Sequence, residues 1–293
     1  MATTPTSPFT YALVGAGRVG TAVAELLRRA GHEPVAVASR SDESAQRAAG
    51  MLGCTVVAMD GLPECDVVLL GVPAEAIEEV AWAINPSLSD GTIVIHFAGS
   101  RGLEPLRPVL GRGGQRVALH PVQACPDIST AIARIPGSAW GCVCDEGLGD
   151  WSADLIEQTL GGSPYWVPDV QRPVWHAAAT VTSNALSAVL AVGESLLRSL
   201  GHEEPAGVFG PLARGTLENA IAGGGGAATI TGPAVRGETA TIERHLDGID
   251  LAAPELKRAY GLATLLTIEA AVAADRIPHD VAEEMLELLR ART

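Results

Sequence analysis

Gly15, Gly17 and Gly20, in the run YALVGAGRVG, stand at G-x-G-x-x-G spacing between an apolar segment and a helical pattern. Such a loop gives a tight turn out of a strand at Gly15, a close backbone approach to a pyrophosphate at Gly17 and close helix packing at Gly20. The phosphates then lie at the helix N-terminus, around Arg18 and Val19. This context predicts a bound dinucleotide. An acidic residue at the end of the second strand would hold the ribose hydroxyls of NAD, yet PVAVAS ends in Ser39, Arg40 and Ser41. A guanidinium between two hydroxyls suits a 2′-phosphate, so NADP is expected over NAD. The alternative is that Arg40 is a solvated charge and Asp42 or Glu43 serves the ribose.

Those residues need a sheet to hold them. Strand and helix patterns alternate through TYALVG, PVAVAS, TVVAM, DVVLLGVP, TIVIHFAG and RVALHP, with helices expected at 18–30, 42–52 and 74–85. The alternation predicts an α/β domain with a doubly wound parallel sheet. Ligands of such sheets lie beyond the carboxyl ends of the strands, which selects Gly15–Gly20, Ser39–Ser41, Gly71–Pro73 with Val72, Phe97–Ser100 and His120–Gln123. After SAWGCVC and PYWVP the strand signal stops, and an all-α domain is expected. The division is placed at 168, giving 1–168 and 169–293.

The first helix of the second part, about 174–200, carries His176, Thr180, Ser183, Asn184 and Ser187 at three- and four-residue spacing on an apolar, small-residue background. This polar stripe is expected to line a cleft against the cofactor domain or to make polar contacts across a subunit interface. Residues 174–193 lack Asp, Glu, Lys and Arg, but the polar stripe argues against a membrane span and for a helix buried among other helices.

The chain has 293 residues, a formal net charge of -14 and 18% charged residues. An acidic chain is a poor partner for nucleic acid. MATTPTSPFT has neither a basic start nor an apolar signal core, so a cytoplasmic protein is expected. The five cysteines form no C-x-x-C pair and leave one over, so neither a disulfide framework nor a metal site is expected. Cys142 and Cys144 are expected on one face of a strand as small core residues.

GAGRVG, LGVP, ALHPVQ, WHAAATVTSNAL, GPLARGTLENA and TGPAVRGETATIERHL together resemble the Rossmann-like oxidoreductases with a C-terminal domain of unknown function 2520, related in architecture to 6-phosphogluconate dehydrogenase. The resemblance spans nearly the whole chain. It implies that His120 and Gln123 sit at the mouth of the cofactor cleft, that His176 and Asn184 face it, and that Arg236 lies in a turn where it pairs with a substrate carboxylate. Hydride transfer to C=O or C=N leaves charge on the heteroatom, and an imidazole is a suitable proton donor. Either His120 or His176 can fill that role. Related dehydrogenases place a Lys on the corresponding helix; this chain has His176. The family's serine after the fifth strand is replaced by Ala98, with Ser100 as a substitute contact.

The resemblance implies an NADP(H)-dependent oxidoreductase acting on a small carbonyl, imine or hydroxy-acid substrate, as a homodimer through its α-domain. Two alternatives stand beside it. One is an NADP-binding sensor without turnover. The other is an oxidation like that of prephenate dehydrogenases, with the His120-Pro121 histidine taking a hydroxyl proton.

Overall fold

A computed structural model describes residues 8–293. Close contacts divide the chain into two compact units, one ending at Ser183 and the other beginning at Asn184.

The first unit is built on eight strands: β1 (Thr10–Val14), β2 (Glu33–Ala38), β3 (Thr55–Val56), β4 (Val67–Leu70), β5 (Ile93–His96), β6 (Gln115–Pro121), β7 (Ala139–Cys144) and β8 (Ser163–Trp166). Their order in the sheet is β3-β2-β1-β4-β5-β6-β7-β8. Between them run α1 (Arg18–Arg29), α2 (Asp42–Leu52), α3 (Ile77–Ile84), α4 (Ile128–Arg134) and α5 (Gly149–Asp154); α6 (Arg172–Thr180) follows β8. Alternate strand residues feed two cores, as a sheet covered on both faces requires. Tyr11, Leu13, Val67, Leu69, Ile93 and Ile95 belong to one core, and Ala12, Val14, Val68, Leu70 and Val94 to the other. Cys142 and Cys144 both pack into the first core.

One pairing departs from the expected parallel sheet: β6 and β7 run antiparallel, with His120 opposite Gly141. The chain between them reverses direction through a single seven-residue helix, α4. The strands end with β8, near the division expected at 168. The compact unit continues to Ser183 because Arg172, Trp175 and His176 of α6 pack on β7 and on the loop after β5.

The second unit contains α7 (Leu186–Ser199), α8 (Pro205–Ala222), α9 (Gly226–Thr229), α10 (Thr239–Ala252), α11 (Lys257–Ala273) and α12 (His279–Arg292). Its core is small: Ile242, Leu246, Ile268, Ala271, Met285 and Leu289 of α10, α11 and α12 form its centre. The expectation that the 174–200 helix is buried is not met. No residue of α7 is buried and α8 buries only Pro205. The helical run Asp169–Ser199 is long and apolar enough, by length and composition alone, to cross a membrane. The apolar side chains of α7 lie outside the second unit's core, which α10, α11 and α12 form.

Candidate functional site

The glycine loop is shaped by Gly71, which follows β4. Gly15 has φ +83°, a left-handed conformation that disfavours other residues. A Cβ at Gly17 would fall 2.4 Å from the Gly71 carbonyl oxygen, and one at Gly20 would fall 2.5 Å from the Gly71 Cα. The Gly17 N–H donates to that same carbonyl at 3.1 Å. Gly17 is thus needed for packing against Gly71, in addition to any ligand. The first-turn N–H groups of Arg18, Val19 and Gly20 have no backbone acceptor among the described residues. Free donors at a helix N-terminus suit an anion. The Arg18 side chain is engaged elsewhere, donating to the Pro126 carbonyl at 2.9 Å.

A cavity of about 230 Å³ opens beside this loop, lined by Gly15, Gly17, Ser39, Arg40, Ser41, Val72 and Pro73 among others. Ser44, Met59, Ala76 and Val80 also line it; the sequence reading did not single these out. Ser41 caps α2 by accepting from the Ser44 N–H at 3.3 Å. Arg40 is exposed and forms no ion pair among the described residues, whereas Glu43 pairs with Arg47 at 3.6 Å. Asp42 and Glu43 do not line the cavity. Free first-turn donors, a glycine-lined wall and an unpaired guanidinium between hydroxyls fit a nicotinamide dinucleotide. Bound there, the cofactor would be held by the loop and by Ser39–Ser41.

Beyond β5 and β6 lies a second cluster. The rings of His120 and His176 meet edge to face with centroids 5.3 Å apart. Gly99 sits against both: a Cβ there would lie 2.3 Å from His176 Nδ1 and 2.8 Å from His120 Nε2. The Nδ1 atoms of both histidines are buried without a hydrogen-bond partner. Arg172, one helical turn before His176, is fully buried and binds three carbonyls: Arg101 at 2.6 Å, Ala98 at 2.9 Å and Gly141 at 3.2 Å. Asp169 accepts from the Leu103 N–H at 3.1 Å. The loop after β5 is therefore strapped to the start of α6, and His176 is placed by that strap.

His96, at the end of β5, is structural. Its Nδ1 accepts from the Ala98 N–H at 3.1 Å, which leaves Nε2 to donate to the Gly102 carbonyl at 2.8 Å. Burial pushes His96 down to about 4. His120 is pushed down to about 4 by burial, then by the neighbouring His176, Arg172 and His96. Both are neutral near pH 7.

Histidines held neutral in the fold, with pKa values below the ordinary 6.5, mean that the unfolded chain binds more protons between pH 6.5 and 4. Stability therefore falls as pH drops through that window. For fully buried His96 the loss is on the order of 3 kcal/mol, at 1.36 kcal/mol per pKa unit. Urea unfolding at pH 7 and at pH 4.5 checks this. His96→Gln should show a distinctly shallower pH dependence than the parent, and equal slopes would remove His96 from the account.

The other expected site residues are placed differently. The Gln123 amide is occupied within the protein, donating to Ser138 Oγ at 3.3 Å and accepting from the Ala124 N–H at 2.9 Å. Ser100 is half-buried in the loop after β5. Asn184 and Arg236 belong to the second unit. Asn184 is exposed on the π turn Val181–Ala185, and Arg236 pairs with Glu238 at 2.5 Å. Sequence reasoning placed Gly71 and Gly99 at the ligand-facing strand ends without their packing roles, and missed Asp169 and Arg172. Arg172 was findable, because it lies four residues before His176 and so shares its helix face.

A family profile described as a domain of unknown function (DUF2520) matches residues 149–267, and one described as a Rossmann-like domain matches residues 6–121. The chain is a Rossmann-like protein with a DUF2520 domain. Among solved structures it is similar to a "putative NADP oxidoreductase" from Bacteroides fragilis, with TM-score 0.75 and 23% identity over 89% of this chain and 98% of that one. A Thermotoga maritima protein, TM1727, gives 0.66 and 22% over 90% and 99%. A reductive aminase from Aspergillus terreus, in complex with NADPH and ethyl-5-oxohexanoate, gives 0.61 and 18% over 96% and 100%. These likenesses establish a shared fold. No curated protein sequence matches the chain.

Proposed function

We propose that the protein is a soluble, cytoplasmic NADP(H)-dependent oxidoreductase that reduces, or forms by oxidation, a small carbonyl or imine compound. The observation that carries this reading is the pairing of two features at the carboxyl ends of one sheet. A dinucleotide-shaped cleft carries an unpaired Arg40, and an imidazole pair converges on Gly99. The names of the NADP oxidoreductase and the NADPH-bound aminase that share the fold support it.

Bound NADPH supplies a hydride, and the chain must supply the rest. As hydride reaches the carbon of C=O or C=N, the π electrons move to the heteroatom, which then takes a proton. His176 is assigned as the donor of that proton. His120, kept neutral by burial and by the neighbouring Arg172 charge, holds the reacting group by hydrogen bonding. In oxidation the same imidazole takes the proton back. Arg172 positions both rings through the loop it binds.

For Arg40 the expected outcome is specific. Arg40→Ala should weaken NADPH binding about 10- to 100-fold, as expected for a lost charge-assisted contact to phosphate, and leave NADH within about twofold. Fluorescence titration of both cofactors checks it, and equal losses for the two would return the ribose to Asp42 or Glu43. NADPH consumption over a panel of small oxo acids, aldehydes and cyclic imines tests the activity itself. Tight NADPH binding with no consumption would favour a sensor.

The active form is assigned as a homodimer through the α-domain. Within the second unit the large apolar residues Leu212, Leu217, Ile221, Leu262 and Leu266 are 48–76% exposed, and exposed apolar residues in number support an interaction surface. Sedimentation should give twice the 30.1 kDa chain mass, and Leu212→Glu with Ile221→Glu should give monomers. A parent protein that sediments as a monomer at micromolar concentration would contradict the assignment.

A further inference from the structure

The glycine-lined cavity has a second guanidinium at its rim. Arg47 is the only basic residue of α2, and the side chains of an α-helix lean toward its N-terminus. Arg47 accordingly reaches back one turn, where its Nη2 donates to Ser44 Oγ at 3.3 Å. Ser44 lines the cavity together with Ser39, Arg40 and Ser41. Its hydroxyl accepts from Arg47 and so keeps its own O–H to donate to a ligand. Arg40 in the cavity wall and Arg47 one hydrogen bond behind it bring two cations to one row of hydroxyls.

Arg47 has a carboxylate neighbour, but a loose one. Its Nη1 lies 3.6 Å from Glu43 Oε1, beyond hydrogen-bond length, with 51% of the Arg47 side chain and 89% of the Glu43 side chain exposed. An exposed pair within one helix holds little. A phosphate offers a guanidinium shorter, charge-assisted and bidentate contacts, and competes for it on better terms. The phosphate also needs more than one cation. A phosphate monoester carries about −1.5 to −2 near neutral pH, and Arg40 alone would leave part of that charge unmatched beside Asp42 and Glu43 in a chain of net charge -14.

We infer that Arg47 is the second cation of the 2′-phosphate site: on cofactor binding its guanidinium exchanges Glu43 for the phosphate, with Ser44 as a shared partner, and Glu43 opposes NADP(H) by holding Arg47 back. The assignment rests on the NADP(H) reading, in which Arg40 meets the same phosphate. It adds a specificity role for α2 and a substitution, Glu43→Gln, that tightens the cofactor.

Calorimetric titration of the full chain with adenosine 2′,5′-bisphosphate and with 5′-AMP, which differ only in the 2′-phosphate, tests it. The parent should bind the bisphosphate at least about 10-fold more tightly than AMP. Arg47→Ala should weaken the bisphosphate about 5- to 10-fold, the low end for a charge-assisted contact because the rim is open to solvent, and leave AMP within about twofold. Unchanged AMP binding also shows that the variant is folded around its site. Glu43→Gln should tighten the bisphosphate about two- to fivefold, and the gain should vanish when Arg47 is also alanine. Bisphosphate affinity kept within about twofold in Arg47→Ala, or a Glu43→Gln gain undiminished without Arg47, would overturn the assignment. If Arg40→Ala still loses the bisphosphate in that case, the NADP(H) reading stands and the role of Arg47 falls alone. A parent that binds both probes equally sinks both.

Discussion

His176→Ala is expected to lower turnover about 100- to 10,000-fold, the range for loss of a positioned proton donor, while leaving NADPH affinity within about twofold. The reason is geometric. His176 shares the Gly99 contact with His120, but its ring lies outside the glycine-lined cavity. His120→Ala should cost less, because a histidine held neutral near pH 7 contributes a hydrogen bond and not the transferred proton. Steady-state kinetics on both variants checks the division of labour. A larger loss for His120→Ala than for His176→Ala would reverse it.

Arg172→Met should destabilise the first unit by roughly 3 kcal/mol, about 1 kcal/mol for each of the three carbonyls left without a donor. Methionine approximates the length of the side chain but binds none of the three, so the loop from Ala98 to Arg101 loses its tie to α6. The positions of both imidazoles depend on that tie. Activity should therefore fall further than stability accounts for, and Arg172→Lys, which can reach one carbonyl but not three, should restore little of it. Urea unfolding beside kinetics at a temperature where the variant stays folded separates the two effects. An Arg172→Met protein as stable and as active as its parent would show that the strap positions nothing.

The strands were legible in sequence because each is an apolar run bounded by glycine, proline or polar residues. The glycine loop was legible because its chemistry is local, with three glycines and a following helix inside ten residues. The second half of the requirement was not. Gly71 and Gly99 matter through what lies across from them, Gly17 and Gly20 in one case and two imidazoles in the other. No spacing rule joins residues that are brought together by separate strands. The spacing of Arg172 from His176 put both on one helix face, but its burial was hidden for a different reason. In QRPVWH it reads as an ordinary charge at a helix start, and only the three carbonyls that converge on it show that it is buried.

The 174–200 helix shows the opposite failure. Its apolar, small-residue composition argued for burial, yet α7 has no buried residue. Composition reports that a surface needs covering, not which chain covers it. The antiparallel β6–β7 pair was equally invisible, since strand direction depends on the path of the connection and not on the strands themselves.

The claim on which the rest depends is that hydride moves between nicotinamide and a small substrate in this protein. NADPH carrying deuterium at C4, supplied as each of its two stereoisomers with a panel of 2-oxo acids, aldehydes and cyclic imines, tests it by mass spectrometry of the products. The account predicts one deuterium on the former carbonyl or imine carbon from one stereoisomer only, and one NADP formed per product. NADPH that binds yet delivers deuterium to no member of the panel would contradict it.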